Sequence, residues 1–324
     1  MKIVIVGAGV IGRVHLKAML ELGIMPAAIC DIDKGRANAM LCDMHLDLPV
    51  FADYRAMLDE LCPDSVHICT PHYLHADMIV EALSRGVNVL CEKPLCIKRE
   101  DIPRILAAER ASTATLGVCH QNRYNPANLF AKEYLAGKTV RGGHGTVAWH
   151  RDARYYQSAD WRGKWASEGG GVMINQALHT LDLMQWMLGY PEAVTASISN
   201  LSLGDVIEVE DTAVAAFVGK APFTCLGTNA SGVSMPVQIT VRTTDEEIVL
   251  LPHSVIVDGK VLFHEKKQIV LGKTCYGNGH VALIADFYAA IEAGRPFAIN
   301  GEAAASVIQM ILAMYESKGE SVLL

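Results

Sequence analysis

Met1-Lys-Ile-Val-Ile-Val-Gly7-Ala-Gly9-Val-Ile-Gly12 opens the chain. Ile3 to Val6 is an apolar run of strand length. Val10 to Leu22 carries a helical pattern and is closed by Gly23. Gly7, Gly9 and Gly12 stand between them in G-x-G-x-x-G spacing, the strand–turn–helix context in which that spacing binds a dinucleotide. Gly7 makes the tight turn, Gly9 lets a pyrophosphate approach the backbone, and Gly12 lets helix and strand pack closely. Val10 and Ile11 then begin the helix, whose free N–H groups and dipole face the phosphates. The next strand, Ala27 to Asp31, ends in an acid nineteen positions beyond Gly12. An acid there grips the adenosine ribose hydroxyls and repels a 2′-phosphate, which favours NAD over NADP. Arg36 is the one nearby feature on the NADP side. A plain turn role for Asp31 and Asp33 is the alternative.

With 324 residues, two domains are expected, divided at 1–120 and 121–324. The chain is 51% hydrophobic and 19% charged, enough to bury a sizeable core, and its net charge is −7. That balance, with no long basic run, argues against nucleic acid or an anionic membrane surface as partner. No apolar stretch has the length and purity of a bilayer span. The nine cysteines include no C-x-x-C pair and no ligand-spaced Cys/His cluster, so no metal is expected. An odd count, with no leader ahead of the first strand, points to reduced thiols and a cytoplasmic protein.

The first third alternates strand and helix. Helices are predicted over 53–61, 72–85 and 100–111, and strands over 65–70, 88–91 and 114–119. Repeated βα units imply a doubly wound parallel sheet with helices on both faces and a ligand beyond the carboxyl ends of its strands. Beyond residue 121 the pattern changes. A strand over 146–150 and one helix over 172–188 precede strand-like runs at 194–200, 212–218, 224–230, 237–243, 247–251 and 254–257. This predicts a second α/β domain with a large, open, mostly antiparallel sheet. Asp258-Gly259 reads as a hairpin turn. Helices over 280–293 and 302–317 and a short strand over 321–324 close the chain.

Two groups carry chemistry. Thr70-Pro71, Glu92-Lys93-Pro94 and Gln121-Asn122-Arg123-Tyr124 follow the fourth, fifth and sixth strands, where a Rossmann sheet presents its ligand. Pro94 fixes the backbone after Lys93. An ammonium there can bind a substrate hydroxyl and stabilise the alkoxide formed as hydride leaves. A surface pairing of Lys93 with Glu92 is the plain alternative. The second group is Gly169-Gly-Gly171 followed by Asn175, His179 and Asp182, which share one face of a single helix. A histidine is suited to taking a proton near neutral pH; a hydrogen-bonded structural histidine is the alternative.

Together these segments resemble the Gfo/Idh/MocA oxidoreductases. The matching pieces are Gly7–Gly12, Thr70–His75, Glu92–Pro94, Asn122–Pro126, Trp161–Gly163, Gly169–Gly171 with His179 and Asp182, and Asp286-Phe-Tyr. The resemblance implies hydride transfer between NAD(H) and a secondary alcohol or ketone of a sugar, polyol or nucleotide-sugar. It implies a homodimer or homotetramer built through the second sheet. Lys93 matches the lysine that binds the reacting hydroxyl, and His179 matches the acid/base histidine. Asn122, Thr70, His72 and Glu92 match positions beside the cofactor. Asn175 stands where many members carry Asp; it can orient a hydroxyl but cannot take a proton. That departure moves the acid/base role onto His179 and Lys93 and weakens the match to inositol as substrate.

Arg123, Tyr156, Trp161 and Arg162 are further candidates for substrate contact, since aromatic and guanidinium groups suit sugar binding. Packing and surface charge are the alternatives. His75 and His280 read equally as structural groups or ligand contacts. Cys91 and Cys96, which flank Lys93, read as small buried residues. Two other functions fit part of the pattern. One is a redox-neutral, NAD-dependent glycoside cleavage, and the other is a non-catalytic NAD-binding sensor.

Overall fold

A computed structural model describes residues 1–266, 271, 277 and 279–324. Cys275 and Asn278 lie outside the described residues. Two units are present. The first holds Met1–Cys96, Glu100–Gln121 and the described part of 269–304. The second holds Ile97–Arg99, the described part of 122–268, and Ala305–Leu324. A single division at residue 120 is therefore too simple, because the chain returns to the first unit late in its course.

The first unit runs β1 (Ile3–Val6), α1 (Val10–Glu21), β2 (Ala28–Cys30), α2 (Lys34–Asp43), β3 (Val50–Phe51), α3 (Tyr54–Leu61), β4 (Ser65–Ile68), α4 (His75–Ser84), β5 (Asn88–Cys91), α5 (Asp101–Ala111) and β6 (Leu116–Val118). The six strands form a parallel sheet in the order β3-β2-β1-β4-β5-β6. The order reverses between β1 and β4, and a doubly wound sheet receives its ligand at such a switch point. β1 and β4 are fully buried, as expected of strands covered on both faces. Helix α2 and the two-residue β3 escape a reading by periodicity. α2 is held at its start by Asp33, whose side chain accepts from the Arg36 N–H at 3.1 Å.

The second unit begins with α6 (Pro126–Tyr134), β7 (Val140–Ala148), α7 (Ala153–Gln157), α8 (Val172–Asn175) and α9 (Leu178–Leu188). It continues with β8 (Ala193–Ser199), β9 (Thr212–Val218), β10 (Phe223–Thr228), β11 (Gln238–Thr243), β12 (Glu247–Leu251), β13 (Ser254–Val257) and β14 (Lys260–His264). After them come α10 (Gly279–Glu292), α11 (Gly301–Ser317) and β15 (Ser321–Leu323). The nine strands lie in the order β14-β13-β12-β11-β7-β10-β9-β8-β15. Every pairing is antiparallel except β7 with β10. Asp258 and Gly259, both at positive φ (47° and 77°), turn β13 into β14, as a two-residue hairpin loop requires.

α10 belongs to the first unit because it packs on α1. Phe287 and Phe297 press on Gly117 of β6, where a Cβ would meet their rings at 2.8–2.9 Å. The Val118 N–H also donates to the Ile299 carbonyl at 2.9 Å.

Strands β9 and β10 alternate buried and exposed residues. Ala213, Ala215, Phe217, Phe223 and Cys225 point inward; α8 packs on β9 and β10, and α9 packs on β7. Val214, Val218 and Leu226 point the other way and are exposed. β7 is longer than expected, beginning at Val140 instead of 146. Its glycines admit the covering helix and the neighbouring strand. A Cβ at Gly145 would lie 2.7 Å from both Met184 and Thr180 of α9, and one at Gly143 would lie 2.4 Å from the Thr240 carbonyl.

Candidate active site

In the first unit the glycine loop has the shape its spacing predicts. Gly7 has φ +98°, and a Cβ there would meet the Cys69 carbonyl at 2.4 Å. A Cβ on Gly12 would lie 1.9 Å from the Gly7 carbonyl. At Gly9, by contrast, a Cβ meets nothing within 4 Å. The loop is thus closed on its protein side and open where a pyrophosphate approaches. Gly9 caps α1, whose first turn of Val10, Ile11 and Gly12 carries no acid to oppose an anion. These residues fit a dinucleotide.

Asp31 follows β2 and is buried. Its carboxylate accepts from the Ala8 N–H at 2.7 Å and the Asp33 N–H at 2.9 Å, so it is fixed against the glycine loop. Arg36 lies 3.7 Å from both Asp31 and Asp33. Its charge is directed to those acids, which suits a free ribose 2′-hydroxyl better than a 2′-phosphate.

Thr70 and Lys93 follow β4 and β5, and His75 connects them. Its Nδ1 lies 2.7 Å from the Pro94 carbonyl and its Nε2 lies 2.9 Å from the Thr70 carbonyl. His75 is fully buried, and desolvation holds its pKa below the ordinary value although both carbonyls favour the charged ring. It is therefore a clamp between the two strand ends. The Lys93–Pro94 peptide is cis, and Lys93 is half-buried. His72 is buried in the short helical turn before α4.

Glu92 departs from its expected place beside the cofactor. Its carboxylate turns inward, 3.0 Å from His15 Nε2 and 3.6 Å from His280 Nε2, while its Oε2 accepts from the Lys93 N–H at 3.1 Å. Those histidines and their hydrogen bonds hold the carboxyl well below its usual pKa against the opposing effect of burial. His280 is accordingly an interior group of the first unit. Cys91 and Cys96 are buried and form no disulfide.

In the second unit the expected single helix over 172–188 is two helices. The Ala177 N–H reaches back five residues to the Val172 carbonyl, and α9 starts afresh at Leu178. The side chains on either side of the break are drawn sideways. Asn175 Nδ2 donates to Glu168 Oε1 and, at 3.3 Å, to the Tyr155 hydroxyl. Gln176 donates to the same hydroxyl at 3.0 Å and accepts from Asn229 at 3.1 Å. Asn175 and His179 therefore do not share a helical face; His179 sits half-buried in the first turn of α9.

The glycine run makes this junction possible. A Cβ on Gly169 would strike Ile97 at 2.3 Å, one on Gly170 the Tyr315 hydroxyl at 2.0 Å, and one on Gly171 the Glu210 carbonyl at 1.8 Å. Glu210 caps the start of α8, accepting from the Gly171 and Met173 N–H groups at 2.8 and 3.0 Å and from the Tyr315 hydroxyl at 3.0 Å. Burial nevertheless pushes its carboxyl up to about 7.

The other candidates separate into two kinds. Arg123 and Asp182 form a bidentate pair at 2.6 and 2.8 Å, with Asp182 fully buried. Arg123 is thus a strut between the 122–124 turn and α9 and no longer fits a substrate contact. Tyr156 is 5% exposed, packs with Leu203, Ile207 and Val209, and accepts from Asn229 at 3.0 Å. It is a core residue, which also corrects its expected role. Arg162 stacks on both Tyr155 and Trp161, at 4.5 and 4.7 Å from their ring centres, and donates to the Tyr155 hydroxyl at 2.7 Å. Asn122 accepts from the Asn125 and Asn128 amides, which fixes its turn. Glu168 was not singled out by sequence. Only its position beside the glycine run marked it, yet it is 1% exposed and holds Asn175 and, at 2.5 Å, the Gly163 N–H.

Residues 1–120 match the family model described as the oxidoreductase family, NAD-binding Rossmann fold, and residues 137–249 match the GFO/IDH/MocA C-terminal domain. The chain belongs to the Gfo/Idh/MocA oxidoreductase family. Its relatives include an uncharacterized oxidoreductase, YrbE, of Bacillus subtilis, 28% identical over 215 residues. That match covers 65% of this chain and 61% of YrbE. Inositol 2-dehydrogenase of Salmonella typhimurium is 35% identical over 108 residues, 33% of this chain and 32% of the enzyme. The matched part thus spans about three fifths of the first relative and a third of the second. The crystal structure of the WlbA dehydrogenase from Bordetella pertussis, in complex with NADH and UDP-GlcNAcA, superposes with a TM-score of 0.86. The alignment covers 100% of this chain and 98% of that one at 24% identity, a likeness of fold. Among the described residues no helix is long and apolar enough to cross a membrane.

Proposed function

We propose that this chain is an NAD(H)-dependent dehydrogenase or reductase acting on a secondary alcohol or ketone of a sugar, polyol or nucleotide-sugar. NAD, held by the glycine loop and Asp31, supplies the hydride acceptor when bound. Lys93 donates to the reacting oxygen and stabilises the negative charge that grows on it. His179 takes or returns the hydroxyl proton. Asn175, with its amide N–H group committed to Glu168 and Tyr155, presents its Oδ1 to a second substrate hydroxyl. Trp161 and Arg162 supply an aromatic and a cationic surface for the ring.

The observation that carries this reading is the His75 clamp. It ties the strand end bearing Lys93 to the strand end beside the glycine cradle, and β1, β4 and β5 are hydrogen-bonded neighbours. A cation so placed at the carboxyl edge of a dinucleotide sheet suits alcohol–ketone chemistry. The name of the Salmonella relative supports a polyol or sugar as substrate. We further propose a cytoplasmic homodimer or homotetramer, supported by the buried free thiols and by the exposed apolar residues on the open face of the second sheet.

A panel of sugars, polyols and nucleotide-sugars, followed at the NADH absorbance with NAD and with NADP, tests the proposal. NAD reduction by at least one class, with NADP at least tenfold poorer, is expected. Binding with neither NAD reduction by the alcohols nor NADH oxidation by the corresponding ketones, or loss of an aglycone without net NADH, contradicts it.

A further inference from the structure

We propose that Glu168 is a positioning residue that sets substrate specificity. Acting through Asn175, it makes that amide a hydrogen-bond acceptor only, and so selects a substrate that carries a donating hydroxyl opposite it. The proposal rests on the reading above in which Asn175 meets the substrate. Every residue it uses lies in the second unit.

Glu168 is buried, and its two oxygens have separate tasks. Oε2 accepts from the Gly163 N–H at 2.5 Å, and Oε1 accepts from Asn175 Nδ2. The Arg162 guanidinium lies 4.0 Å from Oε1. An N–H donor on each oxygen and a cation beside them are the surroundings of a carboxylate; a carboxylic acid would set its own proton against one of those donors. The loop that carries Glu168 is closed on itself. The Glu168 N–H donates to the Lys164 carbonyl at 2.9 Å, and the Ser167 hydroxyl donates to the Trp161 carbonyl at 2.8 Å. The carboxylate is therefore held from its own backbone and does not follow Asn175.

The amide of Asn175 has one orientation as a result. One Nδ2 hydrogen goes to Glu168, and the other faces the Tyr155 hydroxyl at 3.3 Å. That hydroxyl is pinned in turn by Arg162 Nη1 at 2.7 Å and Gln176 Nε2 at 3.0 Å. Turning the amide over would set Oδ1 against the Glu168 carboxylate, acceptor against acceptor in a buried place. Asn175 can then meet a substrate only through Oδ1, as an acceptor. Glu168→Gln reverses this. The new amide satisfies both neighbours by accepting from Gly163 and donating to Asn175. That turns the Asn175 amide over and offers its N–H group to the substrate. Adding Asn175→Asp exchanges carboxylate and amide between the two positions and returns an acceptor to the substrate.

The probes are deoxyfluoro analogues of the substrate found by the panel, with fluorine replacing each hydroxyl other than the reacting one. Fluorine has nearly the size of a hydroxyl but cannot donate. At one position, fluorination should lower kcat/KM of the wild type by at least about thirtyfold. Glu168→Gln should shrink that ratio by at least about tenfold, and the exchange variant should bring it back to within about threefold of the wild type. A merely structural Glu168 would lower activity on both substrates alike. A ratio unchanged in Glu168→Gln, or an exchange variant no better than Glu168→Gln alone, overturns the proposal. So does a wild type that accepts fluorine at every position as well as hydroxyl, which decides the matter even if the variants fail to fold. Melting curves need no substrate and so separate this proposal from the functional reading. At about pH 8, Asn175→Asp alone sets two carboxylates together and should lower Tm by about 5 °C or more; in the Glu168→Gln background it should cost less than about half as much. Equal losses overturn the proposal. Unequal losses with no substrate found overturn the assigned chemistry and leave the charged contact standing.

Discussion

Two buried side chains set the terms at the residue scale. His75 faces two carbonyls and, as a neutral ring, donates to one of them, so His75→Leu leaves that carbonyl without its donor. The expected loss is about 1–3 kcal/mol of stability, with kcat reduced more than NAD affinity because Lys93 loses its support. Urea unfolding and steady-state kinetics check this; a variant with wild-type kcat would show that the clamp does not position Lys93. Glu210 gives a pH test. Its folded pKa, raised by burial to about 7 from 4.5, means the folded protein binds the proton more tightly. The associated stability is full below pH 4.5 and is lost as pH rises through about 7. Relative to Glu210→Gln, the wild type should lose on the order of 3 kcal/mol across that window. Parallel stability–pH curves would refute it. Asn175 was readable as a departure from the family pattern, but Glu168, the carboxylate that holds it, was not. The two meet through a loop, and only folding brings a side chain from position 168 to the end of α8.

Turn chemistry and strong periodicity were legible at the element scale. The glycine loop, five of the six strands of the parallel sheet and the Asp258-Gly259 hairpin follow from local rules. The errors share a cause: residues chosen for what lies across from them. Gly143 and Gly145 make room for Thr240 and α9, so β7 begins earlier than the expected residue 146. Ala177 marks no stop in sequence, yet the helix restarts there because Asn175 and Gln176 bond sideways. The glycine loop itself can be divided by experiment. Gly9→Ala adds a methyl into open space at an ordinary φ of −76°. It should leave Tm within about 2 °C and weaken NAD at least tenfold by filling the cradle. Gly12→Ala drives a methyl onto the Gly7 carbonyl and should lower both Tm and NAD affinity. Calorimetric titration with thermal melting distinguishes them; equal NAD affinity in Gly9→Ala and wild type would contradict the placement of the pyrophosphate.

At the scale of the whole molecule, the division into two units was visible as a change of pattern near residue 121. The return of α10 to the first unit was not, since its aromatic contacts to Gly117 join residues far apart in sequence. The same distance hid the seating of Glu92 between His15 and His280, which lie far from it along the chain. The open face of the nine-stranded sheet, with Val214, Val218 and Leu226 exposed, is the surface proposed to join copies. Val214→Asp with Leu226→Asp should convert the oligomer to monomer in light scattering without unfolding it; an unchanged mass would place the interface elsewhere. The proposed chemistry rests most heavily on Lys93. The most direct test is kcat and the NAD dissociation constant of Lys93→Ala on the substrate found by the panel. A kcat lower by at least about 10²-fold, with NAD affinity within about threefold of wild type, is predicted. A kcat within a few-fold of wild type would contradict the assignment of Lys93 to the reacting oxygen.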